Sequence, residues 1–260
     1  MRIALGISYN GQSYQGWQSQ TSGLTIQDKL ERALGKFTSD RVSTLCAGRT
    51  DSGVHALMQV VHFDTPRQRD IHAWTRGTNA YLPRDIAVQW ALATSDAFHC
   101  RACATSRRYA YVLLESPIRP SIEVGRVGWT FRALNLAPMQ QAADMLLGAH
   151  DFTSFRASQC QALSPVKTML DIQITQRGAY WRIEFEANAF LHHMIRNIMG
   201  CLVLIGQGKK PPEWMAEVLT ARDRRVAAPT FSPDGLYFLG PRYPAHWGIP
   251  DRTPSYDGLP

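Results

Sequence analysis

The opening 93 residues change hydrophobic period several times, and the order of those changes leaves few folds open. Residues 2–9 (RIALGISY) form a short, mainly apolar run of strand length. Ile26, Leu30, Ala33, Leu34 and Phe37 then recur at helical spacing. Thr25 precedes them as a cap, and Asp28 stands in the first turn. Residues 42–47 and 58–64 read as strands around a loop at 48–56. Residues 70–81 form a second helix and 86–93 another strand. The order β-α-β-β-α-β is the split βαβ, or ferredoxin-like, pattern.

The rest of the chain is similar in outline. Residues 107–115 read as a strand, and Pro138 opens a helix that ends near Gly148. Residues 169–176 and 180–187 form a hairpin around Arg177-Gly178. Helices at 190–205 and 212–221 and a last strand at 236–239 follow. The expected fold class is therefore α+β: two ferredoxin-like (split βαβ) halves with antiparallel sheets joined around a central cleft. The expected boundaries are 1–105, 106–244 and a surface tail at 245–260. The halves share no residue-level repeat.

At 260 residues the chain is long enough to bury a core without disulfides or metal. A charged fraction of 19% and a hydrophobic fraction of 45% exclude a disordered or fibrous protein. Lys and Arg total 28 against 21 Asp and Glu, a net charge of +7 that suits a polyanion partner. Of the basic residues, 23 are Arg, whose planar fork matches phosphate and base edges. Arg-rich codon usage explains that bias equally well. The five cysteines include one CxxC, Cys100–Cys103, with no second pair at zinc spacing, so buried thiols are expected rather than a metal site. Residues 198–205 are the longest apolar run, far below the roughly 20 needed to span a bilayer. No export signal is read at the start, and a soluble cytoplasmic protein is expected.

The most informative segment is Ala47-Gly48-Arg49-Thr50-Asp51-Ser52-Gly53-Val54-His55-Ala56. Two glycines flank a cation, a hydroxyl and a carboxylate between apolar strands. Asp51 reads either as a carboxylate kept ionised by arginines, as a nucleophile requires, or as a turn residue bonding its own backbone. Tyr109 lies on an alternating strand and reads as a stacking platform or as a core aromatic. In the 190–205 helix, Leu191, Met194, Ile195, Ile198 and Leu202 make one face. His192, His193, Arg196 and Asn197 gather on another at i, i+3 and i+4 spacing. Arg196 is either partly buried and paired or a solvated surface charge.

The ten-residue loop resembles the AGRTDxGVHA signature of the tRNA pseudouridine synthase A family. Four further segments agree, in order. Tyr9-Asn10-Gly11 with Tyr14, Gly16, Trp17 and Gln18 resembles YDGxxYxGWQ. Arg107-Arg108-Tyr109 resembles ARRYxY, and the stretch from Phe190 to Asn197 resembles FLHHMVRN. Gly235-Leu236-Tyr237 with Tyr243-Pro244 resembles GLYL…YP. Asn10 stands where the family usually has Asp and Ser52 where Ala is common, and the tail from Ala245 has no clear counterpart.

The resemblance implies an isomerase that converts uridine to pseudouridine at positions 38, 39 and 40 of the tRNA anticodon arm. It implies no cofactor and no metal, and a homodimer that holds tRNA. It makes Asp51 the nucleophile and places Arg49 in the space left by the flipped nucleotide. Tyr109 stacks on the uracil, and Arg196 pairs with Asp51. Arg69, Arg101 and the segment Gln159, Cys160, Gln161, Ala162 and Leu163 contact tRNA. Two other readings stand beside it: a non-catalytic RNA-binding protein or tRNA chaperone of the same fold, and a carboxylate-dependent nucleoside hydrolase, which needs a second carboxylate.

Overall fold

The structure, a computed structural model, describes residues 1–251. In chain order its main elements are β1 (Arg2–Tyr9), α1 (Ile26–Thr38), β2 (Leu45–Cys46), β3 (His55–Asp64), α2 (Ile71–Asn79) and β4 (Ile86–Thr94). Then come β5 (Ser106–Glu115), β6 (Gly128–Thr130), α3 (Leu136–Asp144), β7 (Gly148–Asp151), β8 (Val166–Arg177) and β9 (Tyr180–Ala187). Helices α4 (Met194–Gly206) and α5 (Trp214–Ala221) and strand β10 (Leu236–Arg242) follow. The class is mixed α+β. Among the described residues two compact units form: Met1–Ser106 with 237–251, and Arg107–Leu236.

In the first unit the strand order is β4-β1-β3-β2, with every pair antiparallel, as a split βαβ connection produces. From residue 237, β10 joins the start of β3 in parallel, Tyr237 opposite His55. Strand β3 thus has neighbours on both edges, and every residue in it but Asp64 is buried. Its alternate residues serve opposite faces. Phe63 packs under the helices, where Trp74 lies 5.4 Å from both Phe63 and Phe37. Met58 and Val60 join Ala4, Ala47, Trp90, Phe98 and Cys100 on the other face. Tyr243, Trp247 and Ile249 pack half-buried against that cluster. Of the expected tail 245–260, residues 252–260 lie outside the described residues.

Strand β2 is shorter than expected because Glu31 of α1 takes the N–H and hydroxyl of Thr44 (2.7 and 2.9 Å). At the outer strand β4, Val88 keeps its side chain in the core while its backbone N–H and carbonyl face away from β1. The Asn79 side-chain amide closes on Val88, accepting from its N–H (2.7 Å) and donating to its carbonyl (2.9 Å).

In the second unit the order is β6-β5-β9-β8-β7, parallel only between β5 and β6. Strands β6 and β7, three and four residues long, are too short to show a period. Asn135 caps α3 through the Ala137 N–H, which puts Pro138 inside the first turn. Gly148 does not end that helix but starts β7 with φ +94°. Helix α4 is buried on nearly all sides and forms the heart of this unit. It starts at Met194, four residues later than expected, because His193 turns the chain at φ +62°. Among the described residues, no helix is long and apolar enough to cross a membrane.

Candidate active site

Residues 48–54 leave the β2–β3 ladder as a loop. The ladder ends where the Ala47 N–H donates to the Val60 carbonyl (2.9 Å). The loop's return is a four-residue turn in which the Val54 N–H donates to the Asp51 carbonyl (3.2 Å). Gly53 in its third place has φ +80°, as a type II turn requires. So the turn reading of Asp51 holds for its backbone, while the residue as a whole stays half-buried. Arg49 is exposed on the same loop.

The segment from Tyr9 to Trp17 holds the loop from below. The Tyr9 phenol hydrogen-bonds the Thr50 hydroxyl (2.8 Å), and both groups are buried. Burial pushes the Tyr9 phenol well above its ordinary pKa, so it stays neutral. The Trp17 N–H donates to the Thr50 carbonyl (3.0 Å). The Tyr14 carbonyl accepts from the Ser52 hydroxyl (3.1 Å) and the Gly53 N–H (3.4 Å). His55 accepts the Gly11 N–H at Nδ1 (3.1 Å) and stacks on Tyr237 at 4.6 Å. Gly16 has φ +82°, and a Cβ there would stand 2.7 Å from the Thr50 carbonyl oxygen. Three of the sequence signatures, the loop, the Tyr9 segment and Gly235-Leu236-Tyr237 at its final residue, therefore meet in one construction around Asp51.

Arg101 belongs to the same neighbourhood. Its Nε donates to the Cys46 carbonyl (3.3 Å), at the end of the strand that feeds the loop. Arg69 lies elsewhere in the unit, 4.5 Å over the Phe37 ring, and donates to the Phe37 carbonyl (3.3 Å) in the last turn of α1. A cation is favourable at that helix end.

In the second unit, Tyr109 is buried on β5 opposite Phe185, with Phe190 edge-on at 5.1 Å. Arg196 is half-buried in α4. Its Nε donates to the Phe231 carbonyl (2.8 Å), and its own carbonyl accepts the Phe231 N–H (3.1 Å). The expected polar face of that helix is not one face. His192 and His193 precede the helix, their rings 4.0 Å apart. Asn197 is wholly buried, donating to the Phe155 carbonyl (2.8 Å) and accepting from Arg224 (3.0 Å) and Thr230 (2.7 Å). Its burial inside an apolar run was the signal that it serves packing.

The segment Gln159, Cys160, Gln161, Ala162 and Leu163 is folded over Arg156. The guanidinium donates to the Cys160 and Ala162 carbonyls (2.7 and 2.8 Å). Leu163 is fully exposed. Burial pushes the Cys160 thiol up, but backbone N–H groups of Ala162 and His192, with Arg156, outweigh it and bring it below the ordinary thiol range.

His62, His99 and Cys100 bring three potential metal-ligand atoms within 4.8 Å of one another. Their hydrogen bonds oppose that use. His62 Nδ1 accepts the Cys100 N–H (3.3 Å), and His99 Nδ1 accepts those of Arg101 and Ala102 (3.2 and 3.3 Å). A neutral imidazole bound to metal through Nε2 carries its proton on Nδ1, facing those donors. The Cys100 thiol donates to the Leu45 carbonyl (3.2 Å).

Comparison with known proteins gives the class of this α+β chain as an RNA-modifying isomerase. The family described as tRNA pseudouridine synthase matches residues 6–101 and 142–244, and this chain belongs to that family. It is an isomerase that makes pseudouridine in tRNA. It is 71% identical to tRNA pseudouridine synthase A of Albidiferax ferrireducens, with all of both chains covered. The enzymes of the same name from Polaromonas naphthalenivorans and Paracidovorax citrulli are 67% and 64% identical, again over both full lengths.

Proposed function

We propose that the uridines isomerised are those at positions 38, 39 and 40 of the anticodon arm, and that Asp51 is the nucleophile. In the reaction the bond from N1 to the ribose C1′ breaks, the uracil turns, and a bond from C5 to C1′ forms. C5 loses a proton and N1 gains one, so the product is an isomer and no electrons are exchanged. Arg49 fills the space vacated by the flipped nucleotide, whose extraction costs a few kcal/mol. Tyr109 stacks on the uracil, and Arg196 keeps the Asp51 carboxylate ionised. Arg69, Arg101, Gln159, Cys160, Gln161, Ala162 and Leu163 contact the tRNA. The enzyme works in the cytoplasm as a homodimer.

The observation that supports this reading most is the construction under the loop: bonds from Tyr9, Tyr14 and Trp17 fix the backbone on either side of Asp51. A surface turn needs no such foundation. The test uses tRNA carrying uridine tritiated at C5, with transcripts in which only one of the three positions is uridine. Tritium release with the base retained in the chain is expected at each position, without added cofactor. The Asp51→Ala variant is expected to bind tRNA and release no tritium. Turnover near that of the parent enzyme would remove Asp51 from its role, and free uracil would mark a hydrolase instead.

A further inference from the structure

Gln59 is a polar residue in the middle of β3, wholly buried in a strand whose two edges are paired. Its main chain lies opposite Ile7 of β1. On the other side β2 pairs Leu45 with His62 and Cys46 with Val61, and Ala47 donates to Val60. Gly48 is next in line, and there the Gln59 side chain stands in for a peptide group. Its Oε1 accepts the Gly48 N–H (3.4 Å), and its Nε2 donates to the Gly48 carbonyl. Two residues further along the loop, the Tyr9 phenol holds the Thr50 hydroxyl (2.8 Å). One buried amide thus meets both polar groups of Gly48, two residues before the point where Tyr9 holds Thr50.

We propose that Gln59 is a positioning residue for the isomerisation: it sets the course of residues 48–50 and so the place of the Asp51 carboxylate. The inference rests on Asp51 being the nucleophile. An apolar side chain of the same length fills the volume but leaves both polar groups of Gly48 to find new partners, and the loop is what can move.

Two variants test it in single-turnover tritium release, with tRNA affinity measured in parallel. Gln59→Met is expected to keep its circular dichroism and bind tRNA within about threefold of the parent, while its rate falls about thirtyfold or more. Gln59→Glu separates positioning from packing. A protonated carboxyl offers one donor and one acceptor and restores the clamp on Gly48, whereas the ionised form offers acceptors only. Burial favours the protonated form. The Gln59→Glu rate, relative to the parent at each pH, is therefore expected to rise about tenfold between pH 8 and 6. A parental rate in Gln59→Met, or a flat ratio in Gln59→Glu, overturns the inference. If Gln59→Met fails to fold, the pH ratio decides alone. Asp51→Ala, run beside them, keeps the two claims apart. If it is inert and both Gln59 variants run like the parent, only the positioning role fails; if it turns over normally, the nucleophile reading fails first.

Discussion

Replacing Gly16 with alanine tests how closely the Tyr9 segment and the Asp51 loop are fitted. Two penalties arise. A non-glycine residue at φ +82° carries a conformational cost of about 1–2 kcal/mol. The new Cβ would also stand 2.7 Å from the Thr50 carbonyl oxygen, 3.1 Å from the Asp51 carbonyl carbon and 3.2 Å from the Ser52 nitrogen, all backbone atoms that cannot rotate away. Overpacking of this kind costs about 1–3 kcal/mol, so the sum is about 2–5 kcal/mol. Gly23 supplies the control. It has φ +64°, but the nearest atom to a Cβ there is the end of the Arg32 side chain at 3.8 Å, so Gly23→Ala carries the conformational part alone. Urea unfolding of both variants reads the difference as the steric part. Single-turnover tritium release should fall in Gly16→Ala and stay at the parental value in Gly23→Ala, because only the former displaces the Thr50–Ser52 backbone. Equal stability losses within about 0.5 kcal/mol, with equal rates, would refute the close fit.

Two further outcomes follow from buried polar groups. Burial, with help from Arg2 and His99, lowers His62 from 6.5 to about 4, so the fold prefers the neutral ring. The unfolded chain takes up its proton first, and this contribution to stability is complete above pH 6.5 and lost as pH falls toward 4. The loss is on the order of 1–2 kcal/mol. Urea midpoints of the parent and of His62→Asn should diverge across that window, and a constant offset would count against it. Asn197→Ala removes the three hydrogen bonds of a buried amide from the heart of the second unit and is expected to cost about 2–4 kcal/mol in the same assay, with a loss under about 1 kcal/mol refuting that figure.

The first unit was legible because its elements are long enough to show a period. β1, α1, α2 and β4 lie close to where the pattern put them. The pairing of β10 with β3 was not legible, since nothing local in a strand names a partner some 180 residues away. In the second unit, β6 and β7 were too short to register, and the left-handed turn at His193 was hidden because histidine gives no sign of it. The Asp51 loop was readable from its glycines and charges. Its foundation was less so: Gln59 in the run ALMQVVHF looks like a solvent-facing residue of an alternating strand. A polar residue in a strand covered on both faces must instead be satisfied inside, and that burial shows only once the sheet order is known.

The Asn79 clamp on Val88 has a consequence beyond local geometry. β4 is the last strand on its side of the first unit, and as an edge strand it turns the N–H and carbonyl of Val88 away from the sheet. Unmet groups of that kind invite a passing chain to add itself as another strand, the first step toward amyloid-like growth. By occupying both groups with a side chain from its own helix, the protein plugs a docking port for strangers during the crowded interval after synthesis.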